Sequence, residues 1–192
     1  MKKLQLPLSE TDVRALSLGD AVTLTGTIYT ARDAAHKYLI ESPDFSRIPD
    51  LRGSVLYHCG PVIIQRDGKY IVTAAGPTTS IREEPYMAAI IEKFGIRAII
   101  GKGGMGPSTA EACRRFGCVY LHAVGGAAQI LASCVKEVPG VSMLKEFGAP
   151  EAIWQFNVVD FPAIVTMDST GASLHEQVKQ HSEAQLQAVV RG

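Results

Sequence analysis

The sequence predicts a single α/β domain built on a mixed, partly parallel sheet. Two observations carry this. Residues 70–135 read as strand, helix, strand, helix, strand, helix, an order that calls for parallel pairing with right-handed crossovers. Further strands flank that stretch, at 21–29 before it and at 153–160 and 163–167 after it, and these add antiparallel pairs. The chain has 192 residues, 46% of them hydrophobic, enough for one core. One domain is therefore expected over 1–192, with 1–19 as an N-terminal arm and 172–192 as a C-terminal helical segment.

In order, residues 1–19 read as an irregular arm or short edge strand closed by the turn at Gly19-Asp20. Val22, Leu24, Gly26 and Ile28 alternate with threonines, the period of a strand. Thr30 then caps a helix that carries Arg32 and His36 on one face, with Asp33 three residues after the cap. Residues 42–61 are rich in Pro and Gly and hold a short strand at 55–58. Arg66-Asp67-Gly68-Lys69 joins the apolar runs 62–65 and 70–75, a hairpin signal. A helix over 83–94 ends at Gly95, and a strand at 96–100 leads to a second helix opening at Pro107 and ending near Gly117. A strand over 118–122, a small-residue helix over 125–135 and a break at Pro139-Gly140 come next. The two late strands lie either side of Phe161-Pro162, and a largely polar helix over 174–190 closes the chain.

Nineteen basic residues balance nineteen acidic ones, and the isoelectric point is about 7.0. That balance does not suggest a nucleic-acid partner, which needs a basic excess or stripe. No apolar run reaches the roughly 18 residues of a membrane span. The start, with two lysines and no sustained apolar segment behind them, does not read as a secretory signal, so a cytoplasmic protein is expected. The four cysteines, Cys59, Cys113, Cys118 and Cys134, form no CxxC and have no histidine at zinc-ligand spacing. They read as reduced core thiols.

Gly76-Pro77-Thr78-Thr79-Ser80-Ile81-Arg82 has the composition of an anion site. Free backbone N–H groups at a helix start, three hydroxyls and a guanidinium all favour negative charge. The same residues also fit an ordinary capped helix. Gly101-x-Gly103-x-x-Gly106 has the spacing of a dinucleotide fingerprint. It lacks the acid expected about 20 residues on, at the end of the next strand, and that counts against a nicotinamide cofactor. The glycines instead let the backbone approach a small ligand, with Lys102 as a point charge. Arg32, Arg82 and Lys102 then stand at three successive strand-to-helix junctions. In a parallel sheet such junctions share an edge, which gives either one electropositive pocket for a ligand with two carboxylates or three unrelated surface charges. His36, one turn behind Arg32, is a candidate for relaying a proton or for orienting Arg32.

Three segments carry a resemblance: Gly26-Thr27-Ile28-Tyr29-Thr30-Ala31-Arg32-Asp33-Ala34-Ala35-His36, the Gly76–Arg82 run, and Gly101-Lys102-Gly103-Gly104-Met105. In this order they resemble the β subunit of class I iron–sulfur fumarases and L-tartrate dehydratases, which is also the C-terminal domain of single-chain members. The resemblance implies a swivelling β/α/β domain. It implies the β half of a hydro-lyase, either fumarate hydratase forming L-malate or L(+)-tartrate dehydratase forming oxaloacetate. It further implies a [4Fe–4S] cluster on a partner α subunit and none bound by this chain, in an assembly of α2β2 type. By the same resemblance Arg32, Arg82 and Lys102 hold the substrate carboxylates and Thr78 and Thr79 contact the substrate. Thr78 is then the candidate for proton transfer. A stand-alone module that binds a small dicarboxylate without catalysis, and a nucleotide-binding domain, remain as alternatives.

Overall fold

The computed structural model describes residues 1–191; Gly192, the end of the expected helical segment, lies outside the described residues. In chain order the elements are β1 (Lys2–Gln5), α1 (Glu10–Arg14), β2 (Ala21–Thr30), α2 (Asp33–Glu41), β3 (Val55–Tyr57), β4 (Val62–Arg66) and β5 (Lys69–Ala74). A 3-10 turn (Ser80–Glu83) leads into α3 (Glu84–Phe94), β6 (Ala98–Gly101), α4 (Pro107–Phe116) and β7 (Val119–His122). Then come α5 (Ala128–Ser133), β8 (Val135–Ser142), α6 (Leu144–Phe147), β9 (Ile153–Met167) and α7 (Leu174–Arg191).

Strands β2, β3, β6 and β7 pair in parallel, in that order. The long β9 runs antiparallel to β7 and also to β2, so the ladder closes on itself. A closed ring leaves its members no bare edge. β1 and β8 pair with the parts of β2 and β9 that the ring leaves open. The residues of the short central strands alternate between two cores, as the period of two requires. Val55, Tyr57, Ala98, Ile100, Val119 and Leu121 point inward to Trp154, Phe156 and Phe161. Leu56, Ile99 and Tyr120 point outward to Leu39, Met87 and Ile91 on the covering helices α2 and α3. The α/β class and mixed sheet expected from the sequence are what the chain adopts.

Several details differ from the sequence reading. Residues 69–74 do not join the parallel sheet. They pair only with β4, in a hairpin turned by Asp67 and Gly68 at positive φ. Strands of a doubly covered parallel sheet are buried on both faces, whereas β4 is mostly exposed. The parallel strand that precedes β6 is instead β3, three residues long and fully buried, too short to show a period. The two late strands are one, β9, which passes through Pro162 with a bulge beside Asp160 at φ 51°. Pro139 does not break the chain but sits in β8, where the register shifts between Glu137 and Gly140 absorb it. Thr30 is not a helix cap. It ends β2, and its hydroxyl accepts from Trp154 N–H at 3.0 Å and donates to the Ala152 carbonyl at 3.2 Å. Within 1–19, β1 lies parallel to β2, and α1 starts on a capping box between Ser9 and Asp12. Among the described residues no helix is long and apolar enough to cross a membrane.

The start of α4 is held from α3. The Glu84 carboxylate accepts from the N–H groups of Gly106 at 2.7 Å, Ser108 at 3.0 Å and Thr109 at 3.1 Å, and from the Thr109 hydroxyl at 2.6 Å. Helix N-termini leave these donors unpaired unless a side chain meets them. Glu84→Ala is expected to cost about 2 kcal/mol, from a lost cap and stranded donors. Urea unfolding measures this, and an unchanged midpoint would show that water replaces the carboxylate without loss.

Candidate functional site

Because β2, β3 and β6 are parallel, their carboxyl ends share one rim of the ring. Arg32 comes after β2, His58 after β3 and Lys102 after β6. The Gly76–Arg82 segment comes from the hairpin and lies across this rim. Thr78 N–H donates to the His58 carbonyl at 2.7 Å, and Lys102 N–H donates to the Thr78 carbonyl at 3.3 Å. Ser80 N–H donates to the Lys102 carbonyl at 3.0 Å, and Thr79 bridges Lys102 in the parallel sense. The segment thus acts as an inserted strand between the ends of β3 and β6. Arg82 therefore does not sit at the end of a strand of the main sheet, as expected from the sequence. It reaches the same rim because its segment is stitched there by backbone hydrogen bonds.

Two of the cations already have partners in the chain. The Arg82 guanidinium donates to Asp33 Oδ2 at 2.6 Å, and the same oxygen lies 3.8 Å from Arg32. Arg32 Nε faces Glu151 Oε1 at 3.3 Å without a well-directed hydrogen bond, while Glu151 Oε2 accepts from Ala34 N–H at 3.0 Å. These carboxylates offset the cost of a cation at the start of α2. Gly60 makes room for Arg32, since a Cβ there would stand 2.6 Å from its guanidinium. Lys102 has no carboxylate within 4.0 Å among the described residues. Thr78 is half-buried and Thr79 exposed. The rim thus brings Arg32, Thr78, Thr79, Arg82 and Lys102 together.

Beneath them lies a buried polar layer of His36, His58, Ser80, Glu83 and Tyr120. His36 has no exposed surface. Its Nδ1 sits 2.8 Å from the Arg32 carbonyl and 3.4 Å from Glu83 Oε2. His58 Nδ1 is 2.9 Å from Ser80 Oγ, which also accepts from the Tyr120 hydroxyl at 2.9 Å. The two imidazoles meet edge to face at 4.9 Å. Neither oxygen of Glu83, nor Nε2 of either histidine, has a hydrogen-bond partner in the structure. Burial pushes the Glu83 carboxyl up from 4.5 to about 7. Asp33 and Glu151 push the same way, and Arg82 and Arg32 oppose them. Burial drives His36 down from 6.5 to about 4, against its hydrogen bond to Arg32 and the Asp33 charge. His58 is likewise pushed well below its usual range, by burial and by the neighbouring His36. The sequence reading named His36 of this layer, placed Ser80 in the anion-site run, and gave no role to His58, Glu83 or Tyr120. A glutamate in a first helical turn reads as an ordinary dipole partner, and no local pattern marks it as buried.

The glycine run serves the chain's own side chains. A Cβ on Gly101 would overlap Ser80 Oγ, one on Gly104 would come 2.6 Å from the His175 ring, and one on Gly106 would come 2.7 Å from the Glu84 carboxyl. The N–H groups that a pyrophosphate needs at α4 are taken by Glu84. That excludes the dinucleotide reading in this conformation on charge as well as space. The cysteines do not fit an iron–sulfur cluster. Cys59, Cys113 and Cys118 are buried, and burial first of all pushes the Cys59 thiol up to about 12. Cluster ligands are thiolates. Among the described residues no group of three or more His, Cys, Asp or Glu is placed to hold a metal.

The Glu83–His36 pair has a consequence for stability against pH. Glu83, raised on folding, contributes stability that is complete below about 4.5 and is lost as pH rises through about 7. His36, depressed on folding, contributes stability present above 6.5 and lost as pH falls through about 4. Between 4.5 and 6.5 folding strips a proton from one and adds one to the other, so the two slopes cancel. Glu83→Gln is expected to expose the histidine slope, with urea midpoints falling from pH 6.5 to 4 more steeply than in the wild type. His36→Asn, whose amide stands in for Nδ1, is expected to expose the opposite slope, with midpoints falling from 4.5 to 7. Parallel curves for all three proteins would contradict the exchange.

Comparison with known proteins bears on what such a rim serves. The sequence profile of the family described as Fumarase C-terminus matches residues 1–178. A protein of Geobacillus stearothermophilus with the provisional name fumarate hydratase class I is 54% identical over 184 residues. That alignment covers 95% of this chain but only 35% of the longer relative. A protein of Methanocaldococcus jannaschii provisionally named L(+)-tartrate dehydratase subunit beta is 41% identical over 95% of both chains. The L(+)-tartrate dehydratase subunit beta of Escherichia coli is 38% identical over 94% of this chain and 90% of its own. The profile takes in every residue of the rim and of the layer beneath it, and the likeness to separate β subunits runs nearly end to end: the chain belongs to the Fumarase C-terminus family.

Proposed function

We propose that this chain, a single domain over 1–192, is the β subunit of a cytoplasmic iron–sulfur hydro-lyase that adds water to fumarate to give L-malate. The observation that carries the reading is the rim itself: Arg32, Arg82 and Lys102 stand around Thr78 and Thr79, on a chain 54% identical to the named fumarate hydratase. A dicarboxylate needs two anion sites a few ångströms apart. The Arg32–Asp33–Arg82 cluster is one and Lys102 beside Thr79 is the other. Thr79 donates a hydrogen bond to a carboxylate. Thr78, fixed by backbone bonds on both sides, presents its hydroxyl at the carbon that gains or loses a proton. A threonine hydroxyl is far too weak a base unaided, so cations close by must stabilise the alkoxide character it takes on. His36, buried under Arg32, acts as a positioning residue: it holds the Arg32 carbonyl.

In this reading an α subunit in an α2β2 assembly would hold a [4Fe–4S] cluster, which would supply Lewis acidity toward the substrate hydroxyl. The need for a second chain accords with the longer relative, of which this sequence spans about a third. It accords also with an apolar groove of about 410 Å³ lined by Val124, Ala127, Ile130 and Ile164. That groove includes Val124, next to Gly125, where a Cβ would stand 3.7 Å from the Lys102 side chain. The second reading, L(+)-tartrate dehydratase subunit beta, is favoured by relatives of matching length that carry that name.

The test is anaerobic co-expression with the α-type chain, assayed with fumarate, L-malate and L(+)-tartrate. Activity is expected only from the pair. Arg82→Ala and Lys102→Ala are each expected to lower turnover by about 100-fold or more, the loss typical of a transition-state cation, with unchanged circular dichroism. Near-normal turnover in both would remove the clamp. Turnover of tartrate alone would select the second reading, and dicarboxylate binding with no turnover in any pairing would make the chain a binding module.

A further inference from the structure

Glu83 is the one fully buried carboxylate beside this rim, and it is left without a donor. It closes the 3-10 turn that carries Arg82, with no exposed surface and both oxygens unbonded. The groups that face it come from every side. Arg32, Asp33 and His36 approach from the start of α2, Arg82 from its own turn, Glu151 from the segment before β9, and His58 from behind His36. Glu84, next in sequence, is occupied at the start of α4. Arg32, Arg82 and Lys102 are three positive charges on the rim, and Asp33 and Glu151 are two negative ones. The protonation of Glu83 therefore decides whether the whole cluster is neutral or carries one net positive charge.

We propose that Glu83 is the charge switch of the cation rim: by holding or releasing one proton inside the fold it sets how strongly Arg32, Arg82 and Lys102 hold a doubly charged dicarboxylate. The choice of ligand rests on the proposed function; the switch itself does not. The proton comes from solvent, and nothing is oxidised or reduced. Ligand and proton are linked in both directions. A dianion arriving at the rim raises the proton affinity of Glu83, and protonated Glu83 favours the dianion. The near-neutral titration that burial gives this carboxyl puts the switch inside the physiological range. Glu83 touches no substrate. It is a positioning residue that acts through the field at the two arginines.

The test is a pH titration of the full chain by carboxyl ¹³C NMR, with the Glu83 resonance identified by its loss in Glu83→Gln. The expected midpoint is near neutral, and the Arg32 and Arg82 Nε–H resonances are expected to titrate with it, then to lose that step in the variant. A midpoint in the ordinary carboxylate range, or arginines that do not respond, overturns the switch. If the variant fails to fold, through-bond assignment from the Glu83 backbone identifies the resonance, and the wild-type titration still decides. With L-malate as the probe, wild-type affinity is expected to fall by up to about tenfold per pH unit above the midpoint, while Glu83→Gln binds with a flat profile. An equally flat wild-type profile overturns the linkage. Absence of malate binding at every pH, with the titration and its coupling intact, leaves the switch standing and counts against the dicarboxylate reading.

Discussion

The double pairing of β9 is the constraint on which the rest depends. One strand of fifteen residues lies antiparallel to β2 and to β7 and so joins the two ends of a four-stranded parallel sheet. An open sheet of such short strands would leave two edges, and three of its four members pair over only three or four residues. Closure gives every one of them a partner on both sides and wraps the inward residues around a single core with Trp154, Phe156 and Phe161. It also forces the carboxyl ends of β2, β3 and β6 onto one rim. Arg32, His58 and Lys102 are close together because each lies just beyond one of those three ends.

The rim is stabilised from below rather than from solvent. Backbone hydrogen bonds from His58 and Lys102 hold the Thr78 segment, and the side chains beneath it form a layer with more polar atoms than partners. Buried polar groups left unpaired cost free energy and are rare in folded proteins. Here three side chains of one layer share the shortage, the Glu83 carboxyl and the Nε2 atoms of His36 and His58. Such a layer is tolerated if its members stay neutral. The directions of titration agree: the carboxyl rises and both imidazoles fall. The charges are kept at the surface of the rim, where arginines and carboxylates offset one another.

Much of this was legible in the sequence, and the remainder was hidden for identifiable reasons. Gly95 and Gly117 end their helices at positive φ, as expected from their place after apolar stripes. The hairpin at Asp67-Gly68 was plain from its turn residues. What failed was the assignment of β5 to the parallel sheet, because an apolar run shows that a strand exists and not which strand it pairs with. β8 was missed because Pro139-Gly140 has the signature of a break, and only the bulged register with β9 accommodates it. The rim residues were found by their charge and their place at loop starts. That Asp33 and Glu151 pair with them is a tertiary fact, since Glu151 lies far along the chain and meets Arg32 only when the ring is closed.

The two adjacent glutamates show why composition alone could not settle the site. Glu83 and Glu84 have the same side chain and neighbouring positions, yet Glu84 receives four hydrogen bonds and Glu83 none. The difference arises where the 3-10 turn becomes an α-helix. Successive side chains around a helix point about 100° apart, as 3.6 residues per turn requires. One carboxyl is therefore delivered to the donors of α4 and the other to within 3.4 Å of His36 Nδ1. Between them they separate two tasks that a single acid cannot perform at once. A carboxylate tied to several N–H groups fixes a helix. A carboxyl without donors, set among two arginines and two anions, responds to whatever charge arrives beside it. The step of one residue around the helix from Glu83 to Glu84 is thus what gives a repeated residue type one carboxyl bound at α4 and one buried beside the rim.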